Sequence, residues 1–252
     1  MPALIFDCDG VLADTERDGH RPAFNQAFAE AGMDVSWSEE EYGERLRIGG
    51  GKERIAALFD DPGAEQERIA ALHRRKTAIY KDIVRAGRLP GRPGVARLVD
   101  EALAAGWTLA VASTSAEESV RAVLEHVVGT DVAARFAVFA GDVVPAKKPD
   151  PAIYRLALEE LGVARADAIV VEDSRNGLLA AVGAGLRCVV TLSTYTGDED
   201  MSEAILVVSS LGDPGEPARV LANRTAGQVG DRVTIAALEA CLREPLPDEE
   251  VV

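Results

Sequence analysis

Short apolar runs recur along the chain, and polar residues flank each of them. Such runs occupy residues 3–6, 108–112, 136–140, 168–171 and 188–191. Between the later runs lie stretches such as AIYRLALEELG and GLLAAVGAG, whose apolar residues recur at the spacing of a helix. Strands that are apolar throughout and alternate with helices predict an α/β fold, built on a doubly wound parallel sheet with helices on both faces.

The segment from residue 15 to residue 86 has only the helical pattern. HRPAFNQAFAEAG and AEQERIAALHRRKTAIYKDIV place charged residues between apolar ones, and no strand-like run interrupts them. The short run at 3–6 cannot form a core alone, so it must join the later strands. We therefore predict a core of residues 1–14 and 87–212 with an all-helical cap domain at 15–86 inserted in it. Residues 213–252 are expected to pack on this core as a C-terminal extension.

Composition narrows the class of protein. The formal net charge of -15 over 252 residues argues against a nucleic-acid surface, which needs clustered lysine and arginine. The three cysteines are far apart and have no CxxC spacing, which is typical of reduced thiols. No signal segment or transmembrane run is evident. We expect a cytoplasmic, monomeric protein without a membrane segment, whose partner is a small molecule.

Polar and charged residues follow three of the predicted strands. In open parallel sheets, ligands bind beyond the carboxyl ends of the strands, so these residues should meet at one edge. A lysine pair, Lys147 and Lys148, precedes a later helix. The strand ends carry Asp7 and Asp9, then Ser113, Thr114 and Ser115, then Glu172 and Asp173.

Carboxylates without histidine or cysteine among them suit a hard cation, and Mg²⁺ is the expected cofactor. A carboxylate can also attack phosphorus to give an aspartyl phosphate. Asp7 could then attack and bind the metal, while Asp9 acts as general acid and base. Ser113 and the backbone N–H groups after it could donate to phosphoryl oxygens. Singly, these motifs are also typical of a turn, a helix cap and a solvated lysine pair, and it is their combination that favours phosphoryl transfer.

The motifs DCDGVLADTE, VASTS, KKPDP and VVEDS resemble those of haloacid dehalogenase superfamily phosphatases with a helical cap of the β-phosphoglucomutase-like type. The resemblance implies a Rossmann-like core and extends over nearly the whole chain. It also implies residue roles: Asp7 as nucleophile, Asp9 as acid and base with its carbonyl on Mg²⁺, Ser113 and Thr114 on the phosphate, Lys148 as the motif lysine, and Glu172 and Asp173 at the metal. Cys8 departs from the family pattern, which more often has an aromatic residue there.

Three further stretches, DTERDGHRPAFNQAF, RIGGGKERI and LGDPGEP, resemble the CbbY-type phosphatases. This narrower resemblance implies xylulose 1,5-bisphosphate, an inhibitory by-product of Rubisco in the Calvin cycle, as the substrate. A bisphosphate needs a second anion site, and glycines 49–51 with nearby cations could supply one. The resemblance nominates Lys52, Arg75 and Lys76 for the distal phosphate, with Arg54 as a further candidate.

Two residues beside the predicted domain boundary, Glu16 and His20, could face the sugar hydroxyls. The ordinary alternatives stay open for this whole region: a glycine linker before a helix, a solvated helix face at HRRK, and a structural histidine.

The sequence thus predicts a Mg²⁺-dependent sugar bisphosphate phosphatase. A phosphomutase on the same scaffold would use Asp7 and Asp9 in the same way and differ only in the acceptor, a sugar hydroxyl in place of water. A non-enzymatic protein that binds a phosphorylated ligand is the third alternative. The four intact motifs favour an enzyme.

Overall fold

The computed structural model describes residues 1–48 and 50–247. Gly49, which belongs to the predicted glycine loop, and residues 248–252 of the predicted extension lie outside the described residues. The chain divides into two compact units. One consists of Met1–Asp14 together with the chain from Pro90 onward, and the other consists of Thr15–Leu89.

Within the described residues, the first unit holds a seven-stranded sheet with the order β3-β2-β1-β4-β5-β6-β7. The strands are β1 (Ala3–Phe6), β2 (Thr108–Ser113), β3 (Ala137–Ala140), β4 (Ala168–Glu172), β5 (Arg187–Thr191), β6 (Leu206–Val208) and β7 (Val220–Asn223). All neighbouring strands from β3 to β6 pair in parallel. The predicted α/β fold with a parallel sheet is confirmed.

The helices separate these strands and also make up the second unit. They are α1 (Arg21–Glu30), α2 (Glu39–Arg45), α3 (Gly51–Ala56), α4 (Gln66–Arg85), α5 (Val95–Ala104), α6 (Glu117–Val128), α7 (Thr130–Ala133), α8 (Ala152–Leu161), α9 (Arg175–Gly183) and α10 (Ile235–Arg243). Among the described residues, none of these helices has both the length and the apolar composition needed to cross a membrane.

The central strands are covered on both faces. Successive residues of a strand point to opposite faces, and every residue of β1 is fully buried. On one face, Ile5 and Val170 join a core cluster that also contains Tyr154 of α8 and Leu178 of α9. Helices α5, α6 and α10 contact the sheet without entering that cluster. This double cover explains why the strands are apolar throughout rather than alternating.

The register of the sheet places three chain segments side by side at its carboxyl edge. Phe6, the last residue of β1, pairs with Val111 of β2 and with Val171 of β4. The Asp7 N–H then donates to the Val171 carbonyl at 2.9 Å. Residues that follow β1, β2 and β4 must therefore emerge next to one another.

Beyond the predicted parallel strands, the sheet carries one antiparallel strand at its edge. The edge strand β7 runs antiparallel to β6, with a register shift at Val207 and Val208. Neither strand was predicted from the sequence. The reason is that β6 has three residues, too few for a periodic signal, and β7 is largely exposed.

Among its described residues, the regular secondary structure of the second unit is all helical. Its core is aromatic: the Trp37 ring lies 4.8 Å from Phe28, 5.1 Å from Phe24 and 5.9 Å from Tyr42 between ring centroids. Helix α2 starts at a capping box, in which the Ser38 hydroxyl accepts from the Glu41 N–H at 3.1 Å. This cap fixes where α2 begins, and Tyr42 in its first turn then packs against Trp37 in the aromatic core.

Candidate active site

Three buried carboxylates meet at the carboxyl edge of the sheet. Asp7 follows β1, Glu172 ends β4 and Asp173 follows it, and oxygen atoms of the three side chains all lie within 4.8 Å of one another. Their exposed fractions are 8%, 1% and 7%. Like charges this close raise the free energy of the folded state unless a cation balances them.

The Lys148 ammonium lies among these acids. Its Nζ is 2.7 Å from Asp7 Oδ1 and 2.6 Å from Glu172 Oε1, and it also donates to the Ala112 carbonyl at 2.9 Å. The neighbouring Lys147 is exposed and pairs with Asp142 at 3.0 Å instead. The structure thus separates the two lysines, and Lys148 is the one in the cluster.

Tyr154, in the first turn of α8, is a residue that sequence reasoning missed. Its hydroxyl donates to Glu172 Oε1 at 2.5 Å, and the Lys148 ammonium lies 4.9 Å from its ring centroid. In the sequence, Tyr154 is one of the regularly spaced apolar positions of AIYRLALEELG. The available signal was its hydroxyl, because a tyrosine on the buried face of a helix needs a polar partner.

Burial dominates the electrostatics of the cluster. Burial, opposed by Lys148 and assisted by Glu172 and Asp9, raises the pKa of Asp7 from an ordinary 3.8 to about 7. Burial, together with Glu172 and Asp7, also raises the pKa of Asp173 well above its ordinary value. For Lys148, burial alone would lower the pKa, but Asp7 and Glu172 raise it above its ordinary value. The lysine is therefore a permanent cation among acids that are costly to ionise together.

The Ser115 hydroxyl links the segment after β2 to the segment after β1. Ser115 Oγ donates to Asp9 Oδ2, and the Ser115 N–H donates to Ser113 Oγ at 3.2 Å. Ser113 is buried, whereas Asp9 and Thr114 are half-buried. Asp9 therefore lies where it can exchange a proton with a ligand, while its position is held by Ser115.

Because two glycines have no side chain, there is room for the carboxylates of Asp173 and Glu172 beside them. A Cβ on Gly10, which has φ of 76°, would lie 1.9 Å from Asp173 Oδ2. A Cβ on Gly177, in the first turn of α9, would lie 2.0 Å from the Glu172 carboxyl carbon. Sequence reasoning treated both as turn or helix residues, because only the folded chain shows which side chain lies against them.

In the helical unit, Glu16, Tyr42 and Arg54 form one polar cluster. The Tyr42 hydroxyl donates to Glu16 Oε2 at 2.5 Å and accepts from Arg54 Nη1 at 3.1 Å. Arg54 Nη1 also lies 3.8 Å from Glu16 Oε2. Two of the residues predicted for substrate binding are thus joined through a tyrosine that was not predicted.

His20 and Lys76 form a second cluster of the same unit. Lys76 Nζ lies 2.7 Å from His20 Nδ1 and 4.4 Å from the centroid of the Phe24 ring. The His20 ring stacks on Tyr80 with centroids 3.9 Å apart. Lys76 is only 6% exposed, so it is not part of a solvated helix face.

The remaining two cations predicted for the distal phosphate, Lys52 and Arg75, differ in their surroundings. Lys52 is exposed, and it joins Lys76 in lowering the pKa of half-buried His73, although burial is the larger cause. Arg75 is exposed and pairs with Glu30, the Arg75 Nη2 to Glu30 Oε1 distance being 2.9 Å. Lys52 and Lys76 therefore both act on the charge of His73, whereas Arg75 has a partner of its own.

The core carboxylates fit a divalent cation. All the donors are oxygen atoms, which Mg²⁺ prefers. Three acids face one lysine, so a doubly charged ion would balance the cluster if all were ionised. The oxygens of Glu172 already contact Lys148, Tyr154 and the Asp173 N–H. Asp7 and Asp173 are therefore the more available ligands.

Comparison with known proteins agrees with this geometry. The haloacid dehalogenase-like hydrolase family matches residues 1–185. A CBBY-like protein of Arabidopsis thaliana is 50% identical over 224 residues, covering 85% of this chain and 70% of that protein. Protein CbbY of Cereibacter sphaeroides is 45% identical over 220 residues, covering 85% of this chain and 94% of that protein.

Solved structures agree as well. A crystal structure of CbbY from Rhodobacter sphaeroides in complex with phosphate has a TM-score of 0.69 and 44% identity, covering 83% of this chain and 95% of that chain. A mutant of that protein in complex with xylulose-(1,5)bisphosphate has a TM-score of 0.69 and 43% identity over the same shares. The predicted family is confirmed, and the alternative of a non-enzymatic binding protein is wrong. The chain belongs to the haloacid dehalogenase-like hydrolase family and, within it, is a CbbY-like phosphatase.

Proposed function

We propose that this phosphatase hydrolyses a sugar bisphosphate in a Mg²⁺-dependent reaction through an aspartyl phosphate, with xylulose 1,5-bisphosphate as the substrate. The observation that carries the proposal is the pairing of buried Asp7 with Lys148, two residues from the half-buried carboxylate of Asp9. One acid is held rigidly inside the cluster, and the other is accessible to a ligand. A nucleophile needs a fixed position, and the group that exchanges protons with the ligand needs access to it.

In the first step, a carboxylate oxygen of Asp7 attacks phosphorus, and the bond from phosphorus to the sugar oxygen breaks. Asp9 gives its proton to that leaving oxygen, so the sugar departs as a neutral alcohol. In the second step, Asp9 takes a proton from water, the water oxygen attacks phosphorus, and the Asp7 carboxylate is released with inorganic phosphate. Lys148 and Ser113 stabilise the negative charge on the phosphoryl oxygens.

Mg²⁺ would be held by the carboxylates of Asp7 and Asp173 and by the carbonyl of Asp9, with Glu172 orienting Lys148. When bound, the ion neutralises charge on the phosphoryl group. Lys148 keeps its proton throughout, because the surrounding acids raise its pKa. Its role is therefore electrostatic, and it neither gives nor takes a proton.

The choice of a bisphosphate rests on the CbbY relatives and on the second set of cations. The crystallised CbbY mutant of Rhodobacter sphaeroides binds xylulose-(1,5)bisphosphate. In the present chain, Lys52 and Lys76 share an electrostatic environment around His73, which suits an anion such as a distal phosphate. Glu16 and His20 are the residues we assign to the sugar hydroxyls.

The test is phosphate release from xylulose 1,5-bisphosphate with and without Mg²⁺, for the wild type and for Asp7→Asn. We expect turnover only for the wild type with Mg²⁺, and an unchanged circular dichroism spectrum for the variant. Phosphate release by Asp7→Asn would contradict the assigned nucleophile. Interconversion of glucose 1-phosphate in the presence of a bisphosphate primer, without net phosphate release, would instead identify a phosphomutase.

A further inference from the structure

The Arg92 guanidinium donates to four backbone carbonyls of the core unit. Nη1 donates to Gly10 O and, at 2.9 Å, to Thr191 O. Nη2 donates to Leu192 O at 2.6 Å and to Ser209 O at 3.0 Å. Thr191 is the last residue of β5, and the other three acceptors lie in the loops that follow β1, β5 and β6. One side chain thus connects three loops at the carboxyl edge of the sheet.

The loop after β1 is the one that carries the proposed acid and base. Gly10 directly follows Asp9, and its backbone lies so close to Asp173 that a Cβ would come within 1.9 Å of that carboxylate. The backbone N–H of Arg92 also donates to the Leu12 carbonyl at 2.9 Å. Arg92 therefore holds this loop at Gly10, the residue next to Asp9, and again at Leu12.

Arginine is suited to this contact and lysine is not. The guanidinium is planar and carries its donors in a fixed arrangement, so two nitrogens can each serve two acceptors. A lysine ammonium is a single point with three donors on a flexible stem and cannot span four carbonyls in the same way.

We propose that Arg92 is a positioning residue for the general acid, because it holds the Asp9–Gly10 backbone against the loops after β5 and β6. This inference rests on the proposed function, in which Asp9 protonates the leaving sugar oxygen. It predicts a selective defect. Misplacing Asp9 slows the departure of an alcohol that needs a proton, and it spares a leaving group that departs readily without one.

The experiment compares two substrates in Arg92→Lys. Xylulose 1,5-bisphosphate has a poor alkoxide leaving group, whereas p-nitrophenyl phosphate has a good one. The quantity measured is kcat/KM, which reports the steps up to departure of the alcohol and not the later hydrolysis of the aspartyl phosphate. We expect kcat/KM to fall about tenfold or more for the sugar bisphosphate, since general acid catalysis contributes ~10²–10⁴-fold, and by less than about threefold for p-nitrophenyl phosphate.

Arg97→Lys is the matched control. Arg97 also donates to backbone carbonyls, those of Leu211, Gly212 and Val233, none of which lies in the loop of Asp9. We expect this variant to keep the wild-type ratio of the two kcat/KM values, whatever its stability. As a positive reference, Asp9→Asn should show the same selective loss as Arg92→Lys, in stronger form.

Equal losses on both substrates in Arg92→Lys, or no loss, would overturn the proposal. If Arg92→Lys does not fold, Arg92→Gln receives the same comparison. Failure of both variants to fold while Arg97→Lys folds would make Arg92 a residue of the fold and would also overturn the proposal. A wild type that releases phosphate from neither substrate would refute the proposed function itself, so the two failures are distinguishable.

Discussion

Asp7 has to satisfy two opposed requirements. As the proposed nucleophile it must be ionised, but burial among other acids raises its pKa to about 7. Lys148 partly offsets this effect through its contact at 2.7 Å. A bound divalent cation would complete the compensation, because it favours the charged form of both Asp7 and Asp173. In the proposed function, ionisation of Asp7 is therefore coupled to metal binding.

This coupling predicts a pH-dependent affinity for Mg²⁺. Below pH 7, Asp7 of the metal-free protein is increasingly protonated, and the ion must displace that proton. The apparent association constant should therefore fall by at least about tenfold for each pH unit below 7. Isothermal titration calorimetry at pH 6 and pH 8, in buffers of different ionisation enthalpy, measures both affinity and proton release. Equal affinity at the two pH values, without proton release, would contradict this account.

Tyr154 gives a second prediction for a single residue. In Tyr154→Phe the ring remains, but Glu172 loses the hydrogen bond that its Oε1 accepts at 2.5 Å. We expect the free energy of unfolding to fall by about 1–3 kcal/mol, as for a buried bond to a charged group. The dissociation constant for Mg²⁺ should rise by up to about tenfold, because Tyr154 holds Glu172, which orients Lys148 against the proposed metal ligand Asp7. Urea unfolding and calorimetry measure the two effects. An unchanged Mg²⁺ affinity would mean that Tyr154 contributes to packing and not to metal binding.

At the scale of secondary-structure elements, α4 shows how a helix separates neighbouring cations. Arg75 and Lys76 are adjacent in sequence, and adjacent helix positions point about 100° apart. Arg75 is exposed and pairs with Glu30, whereas Lys76 is buried against Phe24 and His20. The two residues had the same assignment from the sequence, but the helix gives them different surroundings.

The two cations should therefore differ in function. Lys76→Met should raise KM for the bisphosphate by about tenfold or more, because a charge-assisted hydrogen bond contributes roughly 1.5–3 kcal/mol, while KM for a monophosphate analogue changes little. Arg75→Ala is the matched control from the next position and should leave both KM values near those of the wild type. Steady-state kinetics on the two substrates decides the matter. A larger effect in Arg75→Ala than in Lys76→Met would reverse our assignment.

At the scale of the whole molecule, the part of the chain after residue 212 belongs to the core unit. Strand β7 pairs with β6, and α10 contacts β4 and α5. Two arginines of the core unit also donate hydrogen bonds to this region. Arg97 donates to the Val233 carbonyl at 3.0 Å, and Arg187 donates to the Glu244 carbonyl. The family match ends at residue 185, and the contacts of this region with the core are therefore ones that the family model does not describe.

Removal of residues 213–252 should therefore destabilise the protein. The deletion would uncover β6 and take away the buried side chains of Val233, Leu238 and Cys241. Each buried aliphatic side chain contributes about 1.5–3 kcal/mol, against a total stability of about 5–15 kcal/mol. Thermal unfolding and size-exclusion chromatography should show a much lower midpoint or aggregation. A soluble truncated protein with the wild-type midpoint of thermal unfolding would mean that residues 213–252 do not stabilise the core.

Much of this protein was predictable because its signals are local. Apolar runs identified the buried strands, and the order of Asp7, Ser113, Lys148 and Glu172 at their ends indicated the chemistry. These residues can be located from the sequence because parallel strands bring their carboxyl ends to one edge, whatever the details of packing. The short strand β6 and the exposed edge strand β7 escaped prediction, because neither carries a periodic apolar signal.

Only the tertiary structure decided which side chains meet. Gly10 against Asp173, Tyr154 against Glu172, and the four carbonyls around Arg92 are contacts between residues far apart in sequence. Sequence periodicity indicates which face of a helix or strand a side chain lies on, but not which residue of another element it contacts. The sequence by itself therefore determined the fold class and the chemical groups at the site, while packing determined how those groups are held and charged.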